Sequence, residues 1–372
     1  MTSLPAILIV RLAARLLPPR LGDWGRAMEA ELRTIDRAAP AFLFAFGCLG
    51  CALRQALSWE SLMHLWNALA SRPRHLAAFC ATASTGLGLF YLAAAGASLH
   101  YLAVNAAALA IGLLAIGILA MAKGAGEVAK GMIAVALAAA LLLTSLLGVS
   151  AGGVTRWLSA GGLLLQPSLL LLPLLALRFA QSRDTLSTLA ILIAAAALAL
   201  QPDRAMAGAL AAGITMLAVL RLERNTLLAS AAALAGLAVT LVRPDPSSAM
   251  PWVDQIFFSS FAVHPLAGIA VLGGAALMLV PALVGYRRDP ANRALYAVFG
   301  MVWLAVIAAA ALGNYPTPLV GYSGSAIVGY MISLIGLPRL ASAVQIGEDG
   351  AAARTDAADQ QRQLRLGLSL TS

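Results

Sequence analysis

Long apolar runs, separated by short polar connections, fill most of the chain from residue 75 onwards. A bilayer offers backbone groups no hydrogen-bond partner, and no run alternates with the period of two that a membrane β-barrel needs, so each run is predicted to be a helix. The pattern predicts an all-α, polytopic membrane protein with about ten transmembrane helices. The predicted spans are 75–98, 101–121, 131–149, 162–180, 185–200, 203–220, 226–242, 264–286, 294–313 and 318–337.

The chain before residue 75 has a different pattern. Residues 4–17 are apolar but carry two arginines, which is typical of an amphipathic helix on a membrane surface. Residues 24–35 repeat apolar side chains at spacings of four, four and three, as on one face of a second helix. The apolar run 41–53 is shorter than the roughly twenty residues of a span, which favours a buried or interfacial helix. We therefore divide the chain into a cytoplasmic or interfacial helical extension (1–74), a ten-helix membrane domain (75–340) and a disordered cytoplasmic tail (341–372).

Composition supports this division and adds an orientation. A hydrophobic fraction of 61%, 11% charged residues and a mean hydropathy of +0.86 lie outside the range of soluble domains. The net charge of +9 is scattered over short connections, which argues against nucleic-acid binding. The three cysteines offer neither a zinc site nor a disulfide framework. With both termini in the cytoplasm, 22 of the 25 lysines and arginines lie inside, and only Arg156, Arg204 and Arg243 lie outside.

This orientation places the polar clusters of the chain on the outer side. The longest connection, 243–264, carries Asp245 and Asp254. The interiors of the spans are nearly free of ionisable groups, although a coupled transporter usually keeps such groups within the membrane. The pattern therefore favours a working site on the extracytoplasmic face. The other clusters are Thr155–Trp157, Gln166–Ser168, Gln201–Arg204 and Asn314–Pro318.

In chain order, these clusters resemble motifs of the SEDS family (shape, elongation, division and sporulation), which includes the RodA-, FtsW- and SpoVE-like proteins. The resemblance covers about residues 75–337 and implies a SEDS-like fold with ten spans. The matching residues are Thr155-Arg156-Trp157-Leu158 with Gly161 and Gln166-Pro167-Ser168, then Gln201-Pro202-Asp203, then Pro251 with Asp254-Gln255-Ile256-Phe257 and Gly268, and then Pro318 to Ser325.

The chain also departs from the family's pattern. The glutamate that follows Gln-Pro-Ser in the family is Leu169 here. The Pro-Asp-x-Gly-Thr motif is replaced by residues 202–206, and an acidic pair downstream of the loop aspartate corresponds to Ala262 and Val263. The chain is therefore identified as a divergent member of the family.

The resemblance implies a reaction that joins lipid-linked sugar units. A sugar hydroxyl attacks an anomeric carbon whose leaving group is undecaprenyl diphosphate. Such a reaction needs a carboxylate that takes the proton or holds a divalent metal such as Mg²⁺ or Mn²⁺, and cations that stabilise the diphosphate. Asp254 matches the family's catalytic aspartate. The predicted substrate-binding residues are Arg156, Arg204, Arg243, Gln166, Asp203, Tyr322 and Ser323.

Simpler roles compete with these assignments. Asp254 could cap a short helix over 255–261, and Asp203 could cap the sixth span. Gln166 and Asn105 could form hydrogen bonds between helices, and Gly321 to Ser325 could serve close packing.

The leading prediction is a glycosyltransferase that acts on undecaprenyl-diphosphate-linked peptidoglycan precursors at the outer face of the bacterial cytoplasmic membrane. The alternative is an inactive scaffold or lipid-carrier binding protein in cell division or cell shape, and a lipid flippase comes third. The resemblance also implies a partner of the penicillin-binding-protein transpeptidase class.

Overall fold

The computed structural model describes residues 4–18, 21–121, 126–151, 154–243 and 249–340, and the chain divides into two compact units between Ser71 and Arg72. The first unit contains helices α1 Leu4–Leu16, α2 Gly22–Thr34, α3 Ala38–Ala56 and α4 Trp59–Ala70. At 19 residues, α3 exceeds the predicted run 41–53 at both ends, because the alanines and the polar residues that flank the run continue the helix. It is therefore long and apolar enough to cross a membrane, contrary to the prediction from the apolar run alone.

The second unit is a helical bundle. In the part of the chain that the structure describes, each of the ten predicted spans contains a helix, four of these helices are shorter than 18 residues, and α12 is a further short helix. The helices are α5 Pro73–Ala94, α6 Leu99–Met121, α7 Glu127–Leu147, α8 Pro167–Ser182, α9 Thr185–Leu200, α10 Arg204–Leu220, α11 Arg224–Val242, α12 Ile256–Val263, α13 Pro265–Arg288, α14 Arg293–Leu312 and α15 Gly324–Ser333. Including α3, seven of the described helices have the length and hydropathy of a membrane span, so the protein is a polytopic helical membrane protein.

Two predicted spans begin later than their apolar runs. The fourth begins at Pro167 instead of residue 162, since proline suits the first helical position and the preceding leucines form a strand. The last helix begins at Gly324 instead of residue 318. The intervening residues form turns, in which Leu319 has a φ of 61°.

A small antiparallel sheet on the connection between α7 and α8 was not predicted. Its strands are β1 Val149–Ala151, β2 Val154–Ala160 and β3 Leu163–Leu165, in the order β1-β2-β3. Gly161 and Gly162 join β2 to β3 with φ values of 56° and 82°, which suit a two-residue hairpin turn of type I′. The sheet matters for the site because β2 carries Arg156.

The bundle packs closely where glycines meet neighbouring backbone. A Cβ on Gly329 of α15 would lie 2.0 Å from the Leu169 carbonyl oxygen of α8, and one on Gly88 of α5 would lie 2.6 Å from the Val320 Cα. These contacts hold α15 against α8, and the segment before α15 against α5. Helix α8 and the segment before α15 both contribute to the cavity described next.

Candidate functional site

Asp254 lies in the connection between α11 and α12 and is 9% exposed. Its Oδ2 accepts a hydrogen bond from the Met250 N–H (2.9 Å), while its own N–H donates to the Met250 carbonyl (3.0 Å). Its Oδ1 is buried and has no hydrogen-bond partner among the residues that the structure describes. Buried polar atoms are rarely left unpaired, so this oxygen invites a ligand. Burial raises the pKa of Asp254, whereas the Met250 N–H and the charge of Arg156 lower it.

The alternative role of Asp254 as a helix cap is wrong. Gln255 occupies the position before α12, in a left-handed conformation with a φ of 56°, and it makes no side-chain cap. The Asp254 carboxylate instead closes the turn that precedes it. Asp254 is therefore held by its own loop and not by the helix that follows.

Arg156 is nearly completely buried, at 3% exposed, because the alternation of β2 turns Val154 and Arg156 inward. Its guanidinium lies 4.6 Å from the ring centroid of Trp157 and 5.7 Å from that of Tyr315. Contacts of this kind stabilise a buried arginine and fix the plane of its guanidinium. Arg156 is also close enough to influence the ionisation of Asp254.

A cavity of about 210 Å³ brings these two charges together. Among the described residues that line it, Arg156 and Asp254 are the only charged ones, and much of the remaining wall is apolar. Five of the eight predicted site residues line this cavity: Asp254, Arg156, Gln166, Tyr322 and Ser323. Leu169, which stands in place of the family's glutamate, lines it as well.

Asp203 lies outside this lining and has a structural role. It is fully buried, and its Oδ2 accepts hydrogen bonds from the Gln166 amide (3.0 Å) and the Ser168 hydroxyl (2.8 Å). Its Oδ1 accepts from the Met206 N–H (3.2 Å), which confirms the predicted cap of the sixth span. Asp203 thus fixes Gln166 at the wall of the cavity and ties α8 to α10.

Arg204 and Arg243 also lie outside the lining of this cavity. Arg204 donates to the carbonyls of Thr240 (3.0 Å) and Arg243, and Arg243 donates to those of Ala199 (3.0 Å) and Leu200 (3.3 Å). These bonds satisfy carbonyls at the C-terminal ends of α11 and α9, a common use of arginine. Arg204 lines a neighbouring cavity of about 390 Å³. Substrate binding by either arginine stays a prediction.

The turn before α15 is held in place from two sides. Asn105 of α6, which is fully buried, donates to the Gly321 carbonyl (2.7 Å) and accepts from the Ser323 N–H (3.3 Å). The Tyr322 N–H donates to the Trp252 carbonyl (2.8 Å). Asn105 thus makes the contacts between segments that the sequence suggested, and it positions Tyr322 and Ser323 in the cavity wall.

The loop of Asp254 and the connection between α14 and α15 are joined directly. The Thr317 N–H donates to the Val253 carbonyl (2.9 Å), and the Gln255 amide donates to Asn314 Oδ1 (2.7 Å). The loop of Asp254 is thereby attached to the connection that carries Tyr315, one of the two rings around Arg156. Tyr315 has no separate signal in the sequence beyond its place in a polar cluster that is predicted to lie outside.

Three solved structures have a fold similar to this chain. Thermus thermophilus RodA, a rod shape determining protein, matches with a TM-score of 0.51 at 23% identity, over 70% of this chain and 93% of that chain. An aspartate-to-alanine variant of the same RodA matches with a TM-score of 0.52 at 24% identity, over 70% and 94% of the two chains. The chain has the SEDS fold.

The third structure is a chain of a peptidoglycan synthase complex, described as coordinating polymerisation and crosslinking. It matches with a TM-score of 0.50 at 24% identity, over 70% of this chain and 95% of that chain. No family model matches the chain, and neither does any curated protein. At these identities, the likeness establishes the fold and leaves the activity to be argued from the site.

The site could accept a divalent metal only with help from the substrate. No cluster of three His, Cys, Asp or Glu occurs within the described ranges. Mg²⁺ is commonly held by one or two carboxylates together with substrate phosphates and water. Asp254, with its unpaired oxygen, fits the role of that single carboxylate. A metal bound in this way would neutralise charge on the diphosphate.

Proposed function

We propose that the protein is a glycosyltransferase that acts on undecaprenyl-diphosphate-linked peptidoglycan precursors at the outer face of the bacterial cytoplasmic membrane, with both termini in the cytoplasm. The observation that carries this proposal is that two buried charged groups, Asp254 and Arg156, line one cavity. The likeness of the fold to RodA supports the reaction class.

In the proposed reaction, a sugar hydroxyl of one lipid-linked unit attacks the anomeric carbon of another. A new glycosidic C–O bond forms, and the C–O bond to the diphosphate breaks. The hydroxyl proton passes to Asp254, and undecaprenyl diphosphate leaves with the bonding electrons. Arg156 stabilises the leaving diphosphate, for which a planar, fixed guanidinium is well suited.

We further propose a transpeptidase of the penicillin-binding class as a partner in cell-wall synthesis. The support is the third structure, in which the similar chain is part of a peptidoglycan synthase complex. An active polymerase needs such a partner to crosslink its product. An inactive homologue could keep the same partner as a scaffold.

A second candidate function is favoured by Leu169. This side chain is 3% exposed and lines the cavity at the position of the family's glutamate. A cavity that keeps one acid and one arginine but replaces the second acid with leucine would still bind a lipid diphosphate. The protein would then be a non-catalytic lipid-carrier binding protein or scaffold.

Polymerisation of fluorescently labelled lipid II by the purified protein with Mg²⁺ or Mn²⁺ tests the first candidate. We expect polymer from the wild type and none from Asp254→Ala. Asp23→Asn, in the exposed part of α2, serves as a control that should retain activity. If neither the wild type nor Asp254→Ala makes polymer while both bind labelled lipid II, the scaffold function replaces the enzyme.

A further inference from the structure

The first unit, which precedes the part of the chain that resembles the SEDS family, is built around a seam of mostly small residues between α1 and α3. The seam is fully buried and includes Ala6, Ala13, Ala41 and Ala45. In water, such a seam buries little apolar area and contributes little to stability. In lipid, helices associate by close packing of small residues, because the solvent itself is apolar.

The face of α3 opposite this seam is strongly apolar, and the corresponding face of α1 carries exposed leucines together with Arg11 and Arg15. In an α-helix with 3.6 residues per turn, Leu8 and Leu12 lie on the side of α1 that faces away from the seam. Leu43 and Phe46 lie on the corresponding side of α3, and Leu43 is 76% exposed. Because each face points away from the seam, the two faces point in different directions. One flat docking partner could not cover both of them.

The charges and the attachment of the unit indicate what covers these faces. The charged residues of α1 are Arg11 and Arg15, whose long side chains can reach lipid phosphates from a buried backbone. Helix α3 has the length and hydropathy of a membrane span. A connection of two residues joins α4 to α5, which also has the properties of a span.

We propose that α1 and α3 form a membrane-embedded helix pair whose outward faces contact the acyl chains of the bilayer. The pair adds a lipid-embedded element to the protein beyond the ten helices of the SEDS fold. Helix α2, which carries Asp23, Arg26, Glu29, Glu31 and Arg33, lies in water or at the headgroups. The proposal does not depend on the enzymatic function.

Site-specific fluorescence quenching in proteoliposomes of the full chain tests this proposal. The three native cysteines are first replaced by alanine, and single cysteines are then introduced by Leu8→Cys, Leu43→Cys and Phe46→Cys. Each is labelled with an environment-sensitive dye. Glu29→Cys on α2 is the matched control. Brominated phosphatidylcholine quenches the dye from the acyl region, and iodide quenches it from water.

We expect blue-shifted emission and quenching by the brominated lipid, but not by iodide, at positions 8, 43 and 46. At position 29 we expect the reverse. Quenching by iodide at positions 8, 43 and 46 would overturn the proposal, because the faces would then be in water. Protection from both quenchers would also overturn it, because protein would then cover the faces. Where a variant is not monodisperse in size-exclusion chromatography, Leu12→Cys or Leu53→Cys replaces it on the same face.

Discussion

The buried aspartates Asp203 and Asp254 should respond to substitution in different ways. Asp203 accepts three hydrogen bonds, whereas Asp254 accepts one and leaves an oxygen unpaired. Asp203→Ala would leave the Gln166 amide and the Ser168 hydroxyl buried without their acceptor. Each hydrogen bond to a charged group contributes about 1.5–3 kcal/mol, and a lost helix cap costs about 1 kcal/mol.

These contributions are not additive, and removing the carboxylate also relieves the cost of burying its charge. We therefore expect Asp203→Ala to lower the free energy of unfolding by about 3 kcal/mol, near the upper end for single substitutions. Asp203→Asn keeps one acceptor oxygen and should cost about half as much. Asp254→Asn disrupts no network of buried hydrogen bonds, so it should change the free energy of unfolding by less than about 1 kcal/mol.

Thermal unfolding in detergent, followed by tryptophan fluorescence, measures these differences. Asp203→Ala should unfold several degrees below the wild type, while Asp254→Asn should unfold close to it and yet make no polymer. If Asp203→Ala unfolded at the wild-type temperature, the hydrogen-bond network would not have the role argued above. A large loss of stability in Asp254→Asn would show that its carboxylate is structural.

Three further predictions test the surroundings of the site. Because the charge of Arg156 lowers the pKa of Asp254, Arg156→Gln should raise that pKa. A general base must be ionised to work, so the acid limb of the pH profile of polymerisation should move to higher pH. An acid limb that stays in place would show that Arg156 does not influence the ionisation of Asp254. Gly329→Ala should destabilise the protein by about 1–3 kcal/mol, because the new Cβ would meet the Leu169 carbonyl. Gly273→Ala is the control and should not destabilise it, because a Cβ on Gly273 meets no atom within 4 Å. Equal melting temperatures of the two variants would refute this prediction. Asn105→Leu should weaken the binding of labelled lipid II, since the turn that carries Tyr322 and Ser323 loses two hydrogen bonds. Unchanged binding in a titration would show that Asn105 does not position this turn for the ligand.

The fold was accessible from the sequence because its main signal is hydropathy. Ten apolar runs correspond to ten helices of the second unit, and the cap at Asp203 follows from a short-range rule that the structure confirms. His264 caps α13 by the same kind of short-range contact, since its Nδ1 accepts a hydrogen bond from the Leu266 N–H.

The hairpin was missed because Leu163–Leu165 are apolar and directly precede an apolar helix, so hydropathy could not separate a strand from the start of a span.

The division of roles among the outer arginines depends on tertiary contacts. Arg156 is turned inward by the strand that carries it, while Arg204 and Arg243 bind nearby helix ends. Residue type and predicted side of the membrane are the same for all three, so the sequence could not rank them. Asp245 falls outside the described residues.

The order in which the cavity acquires its walls has a consequence for biosynthesis. Arg156 comes from the strand before α8, Asp254 from the loop before α12, and Ser323 from the turn that leads into α15, the last helix that the structure describes. A chain that is still being translated therefore lacks one wall of the cavity until α15 enters the bilayer. Newly made protein should be unable to hold the proposed lipid ligand before that final insertion, so an unfinished chain should not capture it.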